Sequence, residues 1–546
     1  MKRVLFLLML MFCALFLHTY KLHSVPPGFN ADEAAYGYNA YSILKTGADE
    51  YGNKLPLRLV SFGDYKLPGY SYLTIPFIAL FGLNETTTRL PSLIAAILLI
   101  PAMYFLAKIL FDKKIALVTA FLTTFSPWIH ILARHAHEAV PMTLFLVLSL
   151  IFLIRLSQKR RLLDGLFFIL FLFISLYTYH IARIIAVVYL GTWIYFIKTK
   201  NISKKNTTYM FIAMLLLLIP FLSAEIAMPA NRIKNLFLFT SDGVRLISQQ
   251  FMVEQAHSPF SNSLFVGGYE FLRRYTNYFS LNFLTYTGDT NGNRFGFPSM
   301  APLSIVEYML FILGIVIAYM NIKKRSYILI LILMLVAPLS AALTWQENAL
   351  NRSYFFVVPV LILVSLAVSY IWENKQKIPY VKPLIICSLF GYTILTAYVW
   401  NFYFFHYSHR NIVIRSWECG YKELTQVIAK KYNSYDSFHI TKENGQPYIF
   451  MLFYLNYSPQ RYTSSMHTME KPDVYGYTQI TNFDKFIFST DIKGHITPHT
   501  LYVLSQAESQ NGDKTDGLKH LQSIMCDTEH MFELYEPITT RTNQTK

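Results

Sequence analysis

The sequence predicts an α-helical polytopic membrane protein: about eleven transmembrane helices, a large first outer loop with interfacial helices, and a small C-terminal α/β extracytoplasmic domain. Three observations lead there. Hydrophobic residues make up 53% of the 546 positions and charged ones only 15%, too apolar a balance for a soluble globular chain. Apolar stretches of about 20 residues, the length that spans a bilayer core as helix, recur over the first 400 positions. Basic residues fall in short clusters between those stretches, as in cytoplasmic loops. The net charge of +16 therefore reflects membrane topology, and the expected partner is the lipid bilayer rather than nucleic acid.

The predicted spans lie near 4–20, 88–110, 114–131, 138–156, 162–178, 181–198, 208–226, 303–321, 326–344, 353–371 and 382–400. The first follows Met1-Lys2-Arg3 without a small-x-small cleavage site and reads as an uncleaved span. Residues 70–83 are also apolar, but the stretch is short and carries Pro76, so an interfacial or re-entrant helix is expected. Parity decides this point. With eleven spans, the clusters Lys108/Lys113/Lys114, Arg155/Lys159/Arg160/Arg161, Lys198/Lys200/Lys204/Lys205, Lys323/Lys324/Arg325 and Lys375/Lys377/Lys382 all share the cytoplasmic side with Lys2 and Arg3. A twelfth crossing at 70–83 would put every one of them outside.

Three polar pieces then face outward on a plasma-membrane protein: residues 21–87, 227–302 and a tail from 401, giving a transmembrane domain at 1–400 and a soluble domain at 401–546. In the tail, Tyr421 to Lys431 reads as helix, while Tyr448 to Leu455, Lys485 to Phe488 and Leu501 to Leu504 read as β-like runs. Cys13 and Cys387 fall in apolar spans, far from any metal-ligand spacing. Cys419 and Cys526 lie in the outer tail, where a disulfide is chemically permitted and their pairing stays open.

The first outer loop carries the chemistry. Pro26-Pro27-Gly28-Phe29-Asn30-Ala31-Asp32-Glu33 ends one helix and opens another on an acidic pair. A capping role for Asp32 or Glu33 is the simpler alternative. The surrounding residues favour a site. Asp64-Tyr65-Lys66-Leu67-Pro68 precedes the re-entrant stretch, Arg89-Leu90-Pro91-Ser92 opens the second span, and Arg134, His135, His137 and Glu138 end the third. His180 and Arg183 lie between the fifth and sixth spans, and Arg352 just before the tenth. A lone cation there would be an interfacial contact; several outer turns bearing them point to a shared polar cavity. Tyr177, Tyr179, Trp345 and Trp128 are assigned to the aromatic belt.

These motifs resemble the C-type membrane glycosyltransferases that use polyprenyl-phosphate sugars, such as protein O-mannosyltransferases and lipid A aminoarabinose transferases, over residues 1 to about 400. The resemblance implies that Asp32 is the general base, with Glu33 beside it orienting acceptor or sugar, and that Glu138 is a second acid. It also implies that Lys66 and the outer arginines Arg89, Arg134, Arg183 and Arg352 hold the donor phosphate, with His137 and His180 as substrate contacts. The chain departs from the family at Leu67, where the fuller pattern has a proline, and at Glu138, where it has aspartate. Trp417-Glu418-Cys419-Gly420-Tyr421 echoes the tryptophan-rich motif of the related oligosaccharyltransferases but lacks its aspartate and reads as coincidence.

The expected reaction is inverting transfer of a glycosyl residue from a polyprenyl-phosphate sugar to an acceptor hydroxyl on the outer face. Fixed cations would serve instead of a metal, so no cofactor is expected. Sugar and acceptor are not legible. Two other classes compete. A transporter or flippase would show internal repeats and midplane substrate residues, and none is found. A ligase or polymerase of lipid-linked glycans would gather cations in a late outer loop, where His257, Arg273, Arg274 and Arg294 show no recognisable spacing.

Overall fold

The structure is a computed structural model describing residues 2–227, 236–254, 259–296, 301–377, 380–465, 468–471, 478–491 and 496–538; His257 lies outside these. The chain forms two compact units: residues 1–20, 67–70 and 89–403 make the first, and residues 21–66, 71–88 and 404–546 the second.

The expected spans are all present as helices. They begin α1 (Lys2–Thr19), α2 (Ala31–Thr46), α3 (Gly69–Phe81), α4 (Glu85–Leu110), α5 (Lys113–Phe125), α6 (Pro127–Ala133), α7 (Ala139–Lys159), α8 (Leu162–Thr178), α9 (Ala182–Lys198) and α10 (Lys204–Ala227). Later helices at Ile305–Met320, Arg325–Val336 with Leu339–Ala342, Val357–Glu373 and Val381–Phe405 complete the set. Among the described residues, seven helices are long and apolar enough to cross a bilayer, or eight if α5 and α6, bent by 50° at their junction, count as one span. The break falls at Pro127, which has no N–H for the helical ladder. Expected spans at α8, α9 and Ile305–Met320 are shorter, at 17, 17 and 16 residues.

Large apolar side chains stand exposed along these helices, among them Phe12, Leu216, Ile219 and Phe390, a surface suited to lipid rather than water. Close helix approaches use small residues. A Cβ at Gly314 would lie 2.1 Å from the Leu363 carbonyl oxygen, so Ile305–Met320 and Val357–Glu373 pack backbone to backbone. α7 and α8 form an antiparallel pair whose turn places Arg160 in the left-handed region and joins Arg155 to Asp164 at 2.9 Å. α3 is a 13-residue helix with Pro76 inside it, the short element expected at 70–83.

The second unit is built on a seven-stranded mixed sheet. After a small hairpin of β1 (Leu59–Ser61) and β2 (Asp64–Lys66) come β3 (Ser437–Ile440), β4 (Thr468–Met469), β5 (Ile480–Phe483), β6 (Phe486–Phe488), β7 (Thr500–Leu504), β8 (Leu518–Cys526) and β9 (Glu529–Pro537). The sheet order is β4-β5-β6-β3-β7-β9-β8, with β3 parallel to β6 and β7. Two of the three β-like runs are strands. The third is not: Pro447–Tyr454 is a helix. An unbroken apolar run carries no periodicity, every residue from Pro447 to Phe453 is buried, and Pro447 sits at the first helical position where its missing N–H costs nothing.

One core ties the segment after α1 to this sheet. Phe29, Ala34, Ala35 and Tyr38 from the start of α2 and Phe62 from the β1–β2 turn pack with Phe438, Phe450, Phe453 and Phe532. Burying such side chains stabilises by about 1.5–3 kcal/mol each, which anchors the loop bearing Asp32 and Lys66 to the C-terminal residues. Cys419 and Cys526 form a disulfide within this unit.

Candidate active site

The acidic half of the site is the start of α2. Asn30 is its N-cap: the Asn30 side chain accepts from the Glu33 amide at 3.1 Å, and the Glu33 carboxylate accepts from the Asn30 amide at 3.3 Å. This reciprocal capping box occupies Glu33, which is 1% exposed. Asp32 is left out of the cap, with its side chain 48% exposed and ion-paired with Lys66, whose own side chain is 14% exposed. One carboxylate holds the helix and its neighbour faces outward.

Lys66 is placed by the hairpin. Ser61 pairs with Asp64 across the two-residue turn Phe62-Gly63, both at positive φ, the mirror-image turn that suits strand twist. The ammonium lies 4.7 Å from the centre of the Phe62 ring and 5.4 Å from that of Tyr36, so its stem is enclosed while its charge meets Asp32. The sequence pattern does not disclose this hairpin, because two three-residue strands are too short for an alternation signal.

Behind Lys66 lies an acid that sequence reasoning missed. Glu50 is fully buried. Burial, reinforced by the charge of Asp49, pushes it up to about 8, while Asn39, Lys66 and Tyr448 pull in the opposite direction. Asp49 is itself raised by burial, against hydrogen bonds from Asn53, Tyr51 and Val60.

The first unit holds a separate group of cations. Arg89 is 1% exposed, and Arg89, Arg134, Arg294 and His137 all lie within electrostatic reach of His135. Ser92 of the Arg89-Leu90-Pro91-Ser92 motif donates to the His137 carbonyl at 3.0 Å and accepts from the His137 amide at 3.1 Å, joining the first turns of α4 to the segment between α6 and α7. His137 Nδ1 accepts from the Ala139 amide at 3.1 Å and lies 3.5 Å from the Glu138 carboxylate. Its Nε2 lies 3.4 Å from the Asn351 side-chain amide. The residue before Asn351 and Arg352 is held by Asp289, which accepts from the Leu350 amide at 2.6 Å. Asp289 is pushed by burial up to about 6, and Arg352 opposes that shift. One Arg352 guanidinium nitrogen, Nη1, is buried and has no hydrogen-bond partner among the described residues.

Two of the expected phosphate ligands make contacts within the protein. Arg134 donates to the Leu17 and His18 carbonyls at 3.0 and 2.9 Å and to the Tyr403 hydroxyl at 3.1 Å, closing the C-terminal end of α1. Arg183 pairs with Glu225 of α10. His180 lies in the turn between α8 and α9, near Arg183 in the chain. Arg294, read from sequence only as a loop cation, joins His135, and Phe295 beside it packs 5.4 Å from the His137 ring centre. Among the described residues, no group of three or more His, Cys, Asp or Glu side chains is arranged to hold a metal ion.

Residues 66–224 match the family described as dolichyl-phosphate-mannose-protein mannosyltransferase. No curated protein sequence matches significantly. Among solved structures, ArnT from Cupriavidus metallidurans aligns in its apo state with a TM-score of 0.53 at 11% identity, over 98% of this chain and 97% of that one. The same protein bound to undecaprenyl phosphate gives 0.52 at 12% identity, with the same coverage. The oligosaccharyltransferase of Archaeoglobus fulgidus, in complex with Zn and sulfate, gives 0.51 at 13% identity, and this chain spans 61% of its length. The helical membrane fold with a strand-containing C-terminal unit expected from the sequence is the fold observed, one shared with ArnT, and residues 66–224 are similar to the mannosyltransferase family model.

Proposed function

We propose that this chain transfers a glycosyl residue from a polyprenyl-phosphate sugar to an acceptor hydroxyl at the outer face of the membrane, with inversion. The observation that carries the reading is the exposed Asp32, excluded from the helix cap and ion-paired with Lys66, the residue at which the mannosyltransferase-family match begins. ArnT, which has the same fold, is known bound to undecaprenyl phosphate, and that supports a lipid-phosphate donor here.

The chemistry follows from charge. Asp32 accepts the acceptor's hydroxyl proton as the oxygen bonds to the anomeric carbon. The bond from that carbon to the phosphate oxygen breaks on the opposite face, and the lipid phosphate leaves with the electron pair. It gains negative charge, so Lys66, Arg89 and Arg352 stabilise the transition state more than the ground state. Donor phosphate also draws Lys66 away from Asp32, which frees the carboxylate to act as base. The cations supply the neutralisation that this step requires. The outward orientation is supported by the basic clusters of the opposite loops and by the disulfide, a bond of oxidising compartments.

The test is to incubate the purified protein with a panel of polyprenyl-phosphate sugars and candidate acceptors. Released lipid phosphate together with a glycosylated product supports the reading. Movement of labelled lipid across vesicles with no sugar transfer would replace it with a flippase.

A further inference from the structure

The Trp417-Glu418-Cys419-Gly420 segment has no part in the chemistry above, yet it grips the residues just ahead of Asp32. The Glu418 carboxylate accepts from the Ala31 amide at 2.7 Å, the first N–H of α2, from 387 residues away in the chain. Gly28 leaves no room for a side chain: a Cβ there would lie 2.3 Å from the Trp417 carbonyl oxygen and 3.0 Å from the Cys419 nitrogen. Gly445, at φ +110, is equally tight, since a Cβ would fall 2.1 Å from a Glu418 carboxylate oxygen. Glu418 itself takes a left-handed φ of +50, unusual for a residue with a side chain and sustained only where neighbours enforce it. Those neighbours are the Cys419–Cys526 disulfide, which ties the segment to the end of β8, and the Trp417 indole, buried and donating to Tyr407 at 2.8 Å.

We propose that Glu418 is a positioning residue for Asp32: the disulfide-held segment fixes the Glu418 carboxylate against the first turn of α2 and so aims the general base. The inference rests on the transfer reaction proposed above. Asn30 and Glu33 already cap this helix, so Glu418 is not needed to start it. What Glu418 adds is a fixed external point that sets the turn carrying Asp32.

The test is steady-state transfer by full-length Glu418→Ala, Glu418→Gln and Gly445→Ala proteins, each before and after reduction with a phosphine. Glu418→Ala should lower kcat by about 10-fold with the donor KM unchanged, because a displaced base impairs proton transfer and not donor capture. Glu418→Gln keeps an acceptor oxygen and should restore most of kcat, and Gly445→Ala should mimic Glu418→Ala. Reduction should lower kcat in wild type and add little in Glu418→Ala, since both changes release the same contact. Wild-type kcat in Glu418→Ala while Asp32→Asn is inactive overturns the proposal, as does a loss confined to donor KM. If wild type transfers no sugar, the reaction reading has failed instead. Amide exchange at Ala31 and Asp32 then decides, and rates unaltered by Glu418→Ala overturn the positioning role.

Discussion

At the scale of single residues, Asp32 and Glu33 are neighbours with divided tasks. Glu33→Gln preserves both capping bonds, because glutamine serves in the same box, so transfer should stay within a few-fold of wild type at an unchanged Tm. A large loss of transfer at unchanged Tm would return Glu33 to the reaction. The clamp makes a separate demand. Neutralising Lys66, or Lys66 together with Arg89 or Arg352, should weaken donor binding, whereas Arg183 with its Glu225 partner should matter less. Unchanged donor affinity in all of those variants removes the clamp. Glu50 gives a pH signature of its own. Its folded value of about 8 lies above the ordinary 4.5, so the folded state holds a proton that the unfolded state releases. Stability from this group is full below about pH 4.5 and is lost as pH rises toward 8, each tenfold difference in proton affinity between the two states amounting to about 1.4 kcal/mol. Tm measured from pH 5 to 9 should therefore fall less steeply in Glu50→Gln than in wild type. Parallel curves would show that Glu50 does not titrate in this way.

At the scale of elements, the site depends on how α2 and the β1–β2 hairpin are held. Gly63 sits at φ +79 with Thr478 so close that a Cβ would lie 2.5 Å from its hydroxyl oxygen. Gly63→Val should displace the turn, loosen Lys66 and raise the donor KM more than it lowers kcat; an unaltered KM would mean that the hairpin does not place the lysine. Long periodic or uniformly apolar elements are legible from sequence: the spans, the short α3, the helix at Tyr421–Lys431 and two of the strands. Asp32 and Lys66 are legible as a pair of motifs, and their ion pair joins them. Elements whose character is set by distant partners are not legible. The helix Pro447–Tyr454 looks like a strand until its burial is known, and β8 and β9 alternate polar and apolar residues too irregularly to announce a hairpin. Glu50 and Asp289 are invisible for the same reason, since an acid next to a glycine or a tyrosine in a loop gives no sign of being buried. Glu418 reads in the sequence as part of a coincidental echo of a tryptophan-rich motif, because the contact that explains it lies 387 positions away.

At the scale of the molecule, the candidate residues are distributed over both units. The second carries Asp32 and Lys66 on a scaffold completed by the C-terminal sheet, and the first carries Arg89, Arg294, Arg352 and the histidines among its membrane helices. A truncation before residue 404 should therefore lose transfer. It removes Phe438, Phe450, Phe453 and Phe532, against which α2 and the hairpin pack. Topology makes a further prediction: thiols introduced near Glu85 and in the tail beyond 401 should be labelled from outside, and those placed beside Lys159 or Lys324 should not. Labelling of Glu85 from the cytoplasm would reverse the orientation. The most direct test of the central claim compares wild type with Asp32→Asn, following donor binding and sugar transfer on the same preparations. Asparagine keeps the size and most of the hydrogen-bonding shape of aspartate but cannot take the acceptor's proton. The account predicts that Asp32→Asn folds and binds donor while transferring sugar roughly 10²–10⁴-fold more slowly. Transfer by Asp32→Asn near the wild-type rate would contradict it.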